Sequence, residues 1–222
     1  MTNVKNFENA RWLSDNQKIG FRHKSAIDLI LRISEKSSIS VLDLGCGDGL
    51  LLSLLKEKGI IGKGLDVSEE GVEKAKSKGI DASIFDFSDK LPFPDKSFDV
   101  VVLLDVLEHL YAPDNLLREA GRVSKSSVVV SVPNFNSLPA RLQVLLGMIP
   151  ENNSRNKGHI YWFNSFVLKK IARDNSLIFK EMRANTIMEN RFLVGRLLKI
   201  LAKIWPSLFA LSFVVRLDKE SI

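Results

Sequence analysis

Val41-Leu42-Asp43-Leu44-Gly45-Cys46-Gly47-Asp48-Gly49 decides the fold. A β-branched run from Ile39 to Leu44 leads into the glycines. A helical pattern from Leu50 to Lys58 leads out, with Leu51, Leu54 and Leu55 on one face and Gly59 as its stop. This is a strand–turn–helix unit. Glycines at the turn permit positive φ and let a ligand approach bare backbone, and the helix start beyond offers unpaired amides. Outward from this unit the alternation continues. Gly62 to Val67 reads as a strand, Ser68 as the N-cap of a helix from Glu69 to Lys78, and Ala82 to Phe85 as a third strand. Phe98 to Leu104 is a fourth strand, followed by a helix over Pro113 to Arg122 and a fifth strand over Ser127 to Val132. Strands that are apolar throughout are covered on both faces, so the pattern predicts a doubly wound, Rossmann-like α/β fold with a parallel sheet. Residues 1–37 read as a helical extension and 38–222 as the main domain. Within the latter, 137–147 and Phe166 to Asp174 read as helices, 150–158 as a polar loop, and Leu177 to Met182 and Leu208 to Leu217 as late strands.

Two cofactor classes use such a turn. A dinucleotide site uses G-x-G-x-x-G and sets pyrophosphate on the helix end. Here the spacing is G-x-G-x-G, and Asp43 stands two residues before the first glycine. A carboxylate repels a pyrophosphate but attracts a ligand with an ammonium and a sulfonium, which describes S-adenosylmethionine. Asp66, ending the second strand, is suited to accept ribose hydroxyls. Asp86 and Phe87 follow the third strand and suit an adenine amino group and a purine face. Three acids after three consecutive strands, with the glycines in place, point to a nucleoside cofactor.

The chain resembles the class I S-adenosylmethionine-dependent methyltransferases of the small type-11 kind over residues 38 to 180. The matching stretches are LDLGCGDG, GLDVS, LPFPDKSFDVVVLLDVLEHL and RVSKSSVVVSVPN. DLGCGDGLLLSLL, the KGI at Lys78 to Ile80 and PNFNSLPARLQVLLGMIP are similar to the MetW-like branch (methionine biosynthesis protein W). The run Leu104-Asp105-Val106-Leu107-Glu108-His109 resembles the general type-11 enzymes instead of that branch. The resemblance implies a seven-stranded sheet with an antiparallel last strand. It implies that Asp43, Gly45, Cys46, Gly47 and Gly49 surround the methionine part of the cofactor. Asp66 would lie at the ribose, Asp86 and Phe87 at the adenine, Leu104 and Asp105 would close the site, and Val67 beside Asp66 is a further cofactor-binding candidate.

Methyl transfer to oxygen or nitrogen needs alignment and removal of a proton, and histidine suits the second task. His109 follows the fourth strand, at the rim where open α/β sheets bind ligands. His159 lies in Gly158-His159-Ile160-Tyr161-Trp162-Phe163 and resembles a superfamily segment on the substrate side. Both are candidate catalytic residues. His23, in Arg22-His23-Lys24, reads as part of a solvated basic face, and Cys46 as a small residue beneath the cofactor. No Cys or His pair has metal-ligand spacing, so no metal is expected, although Asp105, Glu108 and His109 could approach one cation.

Composition bounds the remainder. The 222 residues are 45 % hydrophobic and 26 % charged, which excludes disordered and collagenous classes. One cysteine excludes an internal disulfide framework, and the polar N-terminus lacks a signal-peptide core, so a cytoplasmic location is expected. The uncharged run between Lys203 and Arg216 contains Pro206 and is shorter than the about 20 residues a bilayer needs. The net charge of +6 permits an anionic partner. Nucleic acid is disfavoured, because the basic residues are dispersed and no N/D-P-P-Y run follows the fourth strand. The segment 192–207 sets Arg196, Lys199 and Lys203 on one face and leucines and isoleucines on the other. It reads as a packed helix, a lid, or a peripheral contact with an anionic membrane. The expected activity is methyl transfer to a small-molecule acceptor, lipid- or sugar-linked ones included. The alternative is an accessory protein contacting a homoserine acyltransferase. Residues 1–37, 135–165 and 184–207 are the variable parts expected to contact a substrate.

Overall fold

The computed structural model describes residue 9 and residues 18–33, 39–150, 157–187 and 192–220. In chain order the elements are α1 (Phe21–Leu31), β1 (Ser40–Leu44), α2 (Leu50–Lys56), β2 (Ile61–Asp66), α3 (Glu69–Ser77), β3 (Asp81–Ile84), β4 (Phe98–Leu104) and α4 (Pro113–Val123). There follow β5 (Ser124–Pro133), α5 (Leu138–Leu145), α6 (Ser165–Asp174), β6 (Leu177–Thr186), α7 (Phe192–Ile204), α8 (Pro206–Phe209) and β7 (Ala210–Lys219). The seven strands form one sheet in the order β3-β2-β1-β4-β5-β7-β6. The first five are parallel, and β7 runs antiparallel between β5 and β6. The antiparallel last strand is as expected, and it begins two residues later than read because Pro206–Phe209 forms a short helix. The polar loop at 150–158 falls largely on residues outside the described set.

Alternation along β1, β4 and β5 divides the core in two. Val41, Val100, Val102 and Val129 face α1, α2 and α3, packing with Leu29, Ile30, Leu51, Leu55 and Val72. Leu42, Val101, Leu103 and Val128 face α4 and α6, packing with Leu116, Leu117, Leu168 and Ile171. These strand residues are fully buried. Each contributes about 1.5–3 kcal/mol of transfer free energy, which explains why the strands tolerate no polar alternation. Helix starts follow local chemistry. The Ser68 hydroxyl accepts from Gly71 N–H, and the Asn164 side chain accepts from Phe166 and Val167.

The N-terminal helix α1 belongs to the main core, because Ala26, Leu29 and Ile30 are buried against the sheet. This corrects the reading of His23 as solvated. Its side chain is 2 % exposed, and its Nδ1 accepts from Gly20 N–H at 3.2 Å. At α7 much of the leucine and isoleucine face stays exposed. Gly195 and Ala202 turn inward, while Leu197, Ile200 and Ile204 are exposed beside Arg196, Lys199 and Lys203. No helix among the described residues is long and apolar enough to cross a membrane.

Candidate functional site

β1 and β4 are adjacent although their connections depart to opposite sides, so a crevice opens beyond their C-terminal ends. Open α/β sheets bind ligands at such a switch point. The glycine turn leaves β1 there. Gly45, Gly47 and Gly49 adopt φ of +80°, +52° and +73°. A Cβ on Gly45 would lie 2.4 Å from Val106 Cγ2, so this turn needs glycine for space as well as for φ.

The turn is anchored on β2. Gly45 and Cys46 donate to Leu65 O at 2.7 and 3.1 Å. Gly47 donates to Asp66 Oδ2 at 2.7 Å, and Ser68 donates to Asp66 Oδ1 at 2.8 Å. Asp66 therefore holds the turn in shape. The Cys46 side chain packs into the core, where a Cβ on Gly64 would meet its Sγ at 2.5 Å. Only the Cys46 backbone belongs to the turn. Asp48, which sequence reasoning did not single out, is buried and paired with Lys78 Nζ at 2.6 Å.

Asp43 is 3 % exposed at the end of β1. Burial, reinforced by the neighbouring Asp66 charge, pushes its pKa up to about 7. Burial likewise pushes the Cys46 thiol well above its ordinary value, which makes it a poor nucleophile.

Two cavities flank this region. One, of about 340 Å³, is lined by Val67, Asp86, Phe87 and Ser88 on one side and His109 to Ala112 and Asn115 on the other. Asp86 accepts from Ser88 N–H at 3.0 Å, and Phe87 meets Phe85 edge-on at 5.9 Å. The other, of about 620 Å³, lies beyond β4 and β5; Arg22, Asp105, Glu108, His109, Lys157 and His159 supply its ionisable walls together with Lys18. His109 borders both cavities. Asp105 (φ +56°) ion-pairs with Arg22 at 2.6 Å and accepts a short hydrogen bond from the Ser131 hydroxyl. Leu104, half-buried, packs on the α1 side of the core and lines neither cavity.

The return of the chain through residues 157–163 completes the larger cavity. Ile160 and Tyr161 donate to Glu108 O at 2.8 and 3.0 Å. These bonds bring the His159 ring to 5.0 Å from that of His109, with the planes 72° apart. His109 Nδ1 lies 3.1 Å from Gly158 O. A carbonyl only accepts, so Nδ1 carries the hydrogen and Nε2 is the ring's basic atom. Glu108 is fully buried beneath the pair. Thus the structure brings Asp43, the three glycines and Asp66 together, sets Val67, Asp86 and Phe87 on one cavity, and joins His109 with His159 on the other. Arg22, Ser131 and Lys157 were missed as site residues. Only the basic cluster around Arg22 was visible beforehand, and its direction was not.

Comparison with known proteins identifies the family and the fold. The family described as "Methionine biosynthesis protein MetW" matches residues 24–213. The trans-aconitate 2-methyltransferase of Mycolicibacterium gilvum (strain PYR-GCK) is 38 % identical over 124 residues, 52 % of this chain and 47 % of its own length. The bifunctional methionine biosynthesis protein MetXA/MetW of Rhodopirellula baltica is 32 % identical over 125 residues, 49 % of this chain and 20 % of its own. The chain thus spans less than half the length of these curated relatives. Among solved structures, the magnesium protoporphyrin IX methyltransferase of Synechocystis PCC 6803 with bound SAH superposes with a TM-score of 0.69. It is 18 % identical, with 99 % of each chain covered, a likeness of fold.

Proposed function

Starting from a chain that belongs to the family of methionine biosynthesis protein MetW, with a class I methyltransferase fold, we propose that it is an S-adenosylmethionine-dependent methyltransferase acting on a small polar molecule. The observation that carries this reading is the pairing of a glycine cradle with buried Asp43 and Asp66 at the sheet's switch point. The residues fit the cofactor. The turn has no side chain where backbone must be approached, and Asp43 is a buried carboxyl whose ionised form a cation would favour. Asp43, Gly45, Gly47 and Gly49 would hold the methionine part, with only the backbone of Cys46 facing it. Asp66 and Val67 would hold the ribose, and Asp86 and Phe87 the adenine. When bound, the cofactor supplies an electrophilic methyl group.

The chain's own contribution is position and proton management. His109, which borders both cavities, stands between the nucleoside side and the acceptor side. With Nδ1 directed at Gly158 O, its Nε2 is the ring atom that would take up the acceptor's proton or a group that replaces that proton. His159 narrows the same wall. Arg22, tied to Asp105, gives the larger cavity a fixed charged edge, and Lys18 and Lys157 add positive charge, suiting an acceptor with anionic or hydroxyl groups.

A second reading is supported by the Rhodopirellula relative, a bifunctional protein named for MetXA and MetW together. In it, this chain acts by contact with a homoserine acyltransferase. One experiment separates the two. Thermal unfolding is followed with S-adenosylmethionine and S-adenosylhomocysteine, and the partner is assayed with wild type and Asp66→Ala. Cofactor stabilisation in wild type that is lost in Asp66→Ala supports the enzyme. Absence of any ligand shift, with partner activation intact in the variant, supports the contact role.

A further inference from the structure

The wall of the larger cavity carries three side chains that lie outside the glycine turn and its acids. Glu108, His109 and His159 each offer one ligand atom, and these atoms lie within 4.8 Å of one another. Sequence spacing pointed away from a metal because His159 is remote along the chain from the Glu108-His109 pair. We propose that these three residues form a binding site for one divalent transition-metal ion on the acceptor side of the cavity. The proposal deepens the methyltransferase reading and rests on it for the ion's role, though not for its binding.

The geometry carries the inference at three points. First, His159 Nε2 and Glu108 Oε1 are 3.9 Å apart. That is longer than a hydrogen bond, though within ion-pair reach when His159 is protonated. It fits two ligands of one ion, because donors about 2.0–2.2 Å from a metal stand about 3–4 Å from each other. Second, His109 Nδ1 is held by Gly158 O at 3.1 Å. A metal-bound histidine characteristically donates its other ring N–H to a carbonyl or carboxylate, which fixes the tautomer and orients the ring. Third, the two segments are locked to each other by backbone. Ile160 and Tyr161 both donate to Glu108 O, so the carboxylate and the second imidazole are held in register without any ion.

The donor set selects the ion class. Two imidazoles and one carboxylate suit zinc, iron(II) or manganese better than magnesium or calcium, which favour all-oxygen shells. Three protein ligands leave coordination positions open, and the cavity lies beside them. There an acceptor hydroxyl bound to the ion loses its proton to solvent more readily, because the cation stabilises the alkoxide. In this form His109 and His159 manage the acceptor's proton as ligands and not as free bases.

The test uses the full chain without a histidine tag, freed of metal with EDTA and exchanged into clean buffer. Co²⁺ alone is titrated while visible d–d absorption is recorded, and Zn²⁺ is then added as a competitor. Wild type is expected to bind one equivalent of Co²⁺, displaced by Zn²⁺. Affinity should fall at least about tenfold in Glu108→Gln and His159→Ala. Stabilisation by S-adenosylhomocysteine is expected to persist in both, since Asp43 and Asp66 are untouched. No Co²⁺ band in wild type overturns the proposal, as does unchanged affinity in the variants. Should His159→Ala not fold, the near-isosteric Glu108→Gln decides. Cobalt binding without any response to S-adenosylhomocysteine would sink the methyltransferase reading and leave the metal site standing. The converse would sink the metal site alone.

Discussion

Asp66 accepts the Gly47 amide at 2.7 Å, so the acid at the end of β2 holds the shape of the turn that follows β1. Its other oxygen accepts from Ser68 N–H at 2.8 Å. One side chain thereby serves both the fold and the cofactor site, and its removal should show in both. Asp66→Ala leaves two amides without their charged acceptor, at a cost of about 1.5–3 kcal/mol for each bond. A lower melting temperature is expected without ligand. The about 2.7 kcal/mol that S-adenosylhomocysteine adds to wild type at 100 times its dissociation constant, roughly 5–10 °C for a domain this size, should vanish. Differential scanning fluorimetry with and without ligand reads both effects. A variant that still responds fully to ligand would remove Asp66 from the site.

Gly45 and Val106 test the cradle in another way. Gly45→Ala introduces a Cβ 2.4 Å from Val106 Cγ2 at φ +80°. The backbone term alone costs about 1–3 kcal/mol, and the clash adds to it. Adding Val106→Ala should recover part of the lost stability, the steric part, and leave the φ strain. Chemical denaturation of the two variants and the double variant measures this. Full recovery would mean that φ at Gly45 is unimportant.

Asp43 and His23 give opposite pH slopes. Asp43 is raised from 3.8 to about 7 in the folded state, so the folded protein holds the extra proton between those values. Its contribution is therefore greatest at low pH and is lost as pH rises toward about 7. His23 is lowered from 6.5 to about 4, chiefly by burial, so the unfolded chain holds the extra proton between those values. Its contribution is present above 6.5 and is lost as pH falls toward about 4. The two slopes, each about 1.4 kcal/mol per pH unit, oppose each other where they overlap. Asp43→Asn should leave a stability that rises with pH across that window, and His23→Gln one that falls. Urea unfolding at closely spaced pH values checks the signs, and parallel profiles would refute the assignment.

Binding of the cofactor's ammonium should ionise Asp43. Titration calorimetry with S-adenosylhomocysteine in buffers of different ionisation heat is expected to show release of up to one proton at pH 6. Affinity should rise about tenfold per pH unit up to near 7 and then level off. In Asp43→Asn the proton release should disappear along with most of the affinity. Binding with no buffer dependence would place the ammonium elsewhere.

What the sequence determined by itself was local. The run Ile39 to Leu44 and the continuous apolar stretch of β4 required buried strands. Gly45, Gly47 and Gly49 required positive φ, and Ser68 required a helix start, each through interactions spanning a few residues. Strand–helix alternation then left little freedom in topology, and the acids after β1, β2 and β3 followed from it. What only the tertiary structure decided were encounters between distant segments. His23 is buried because α1 folds onto the sheet beside Val41 and Val129. Cys46 turns to the core because Gly64 on the neighbouring strand leaves it room. Arg22 finds Asp105, and His159 finds Glu108 and His109, because two backbone bonds to Glu108 O return the chain to the end of β4. No periodicity records such meetings, since their free energy comes from packing and hydrogen bonds that exist only once the sheet has formed.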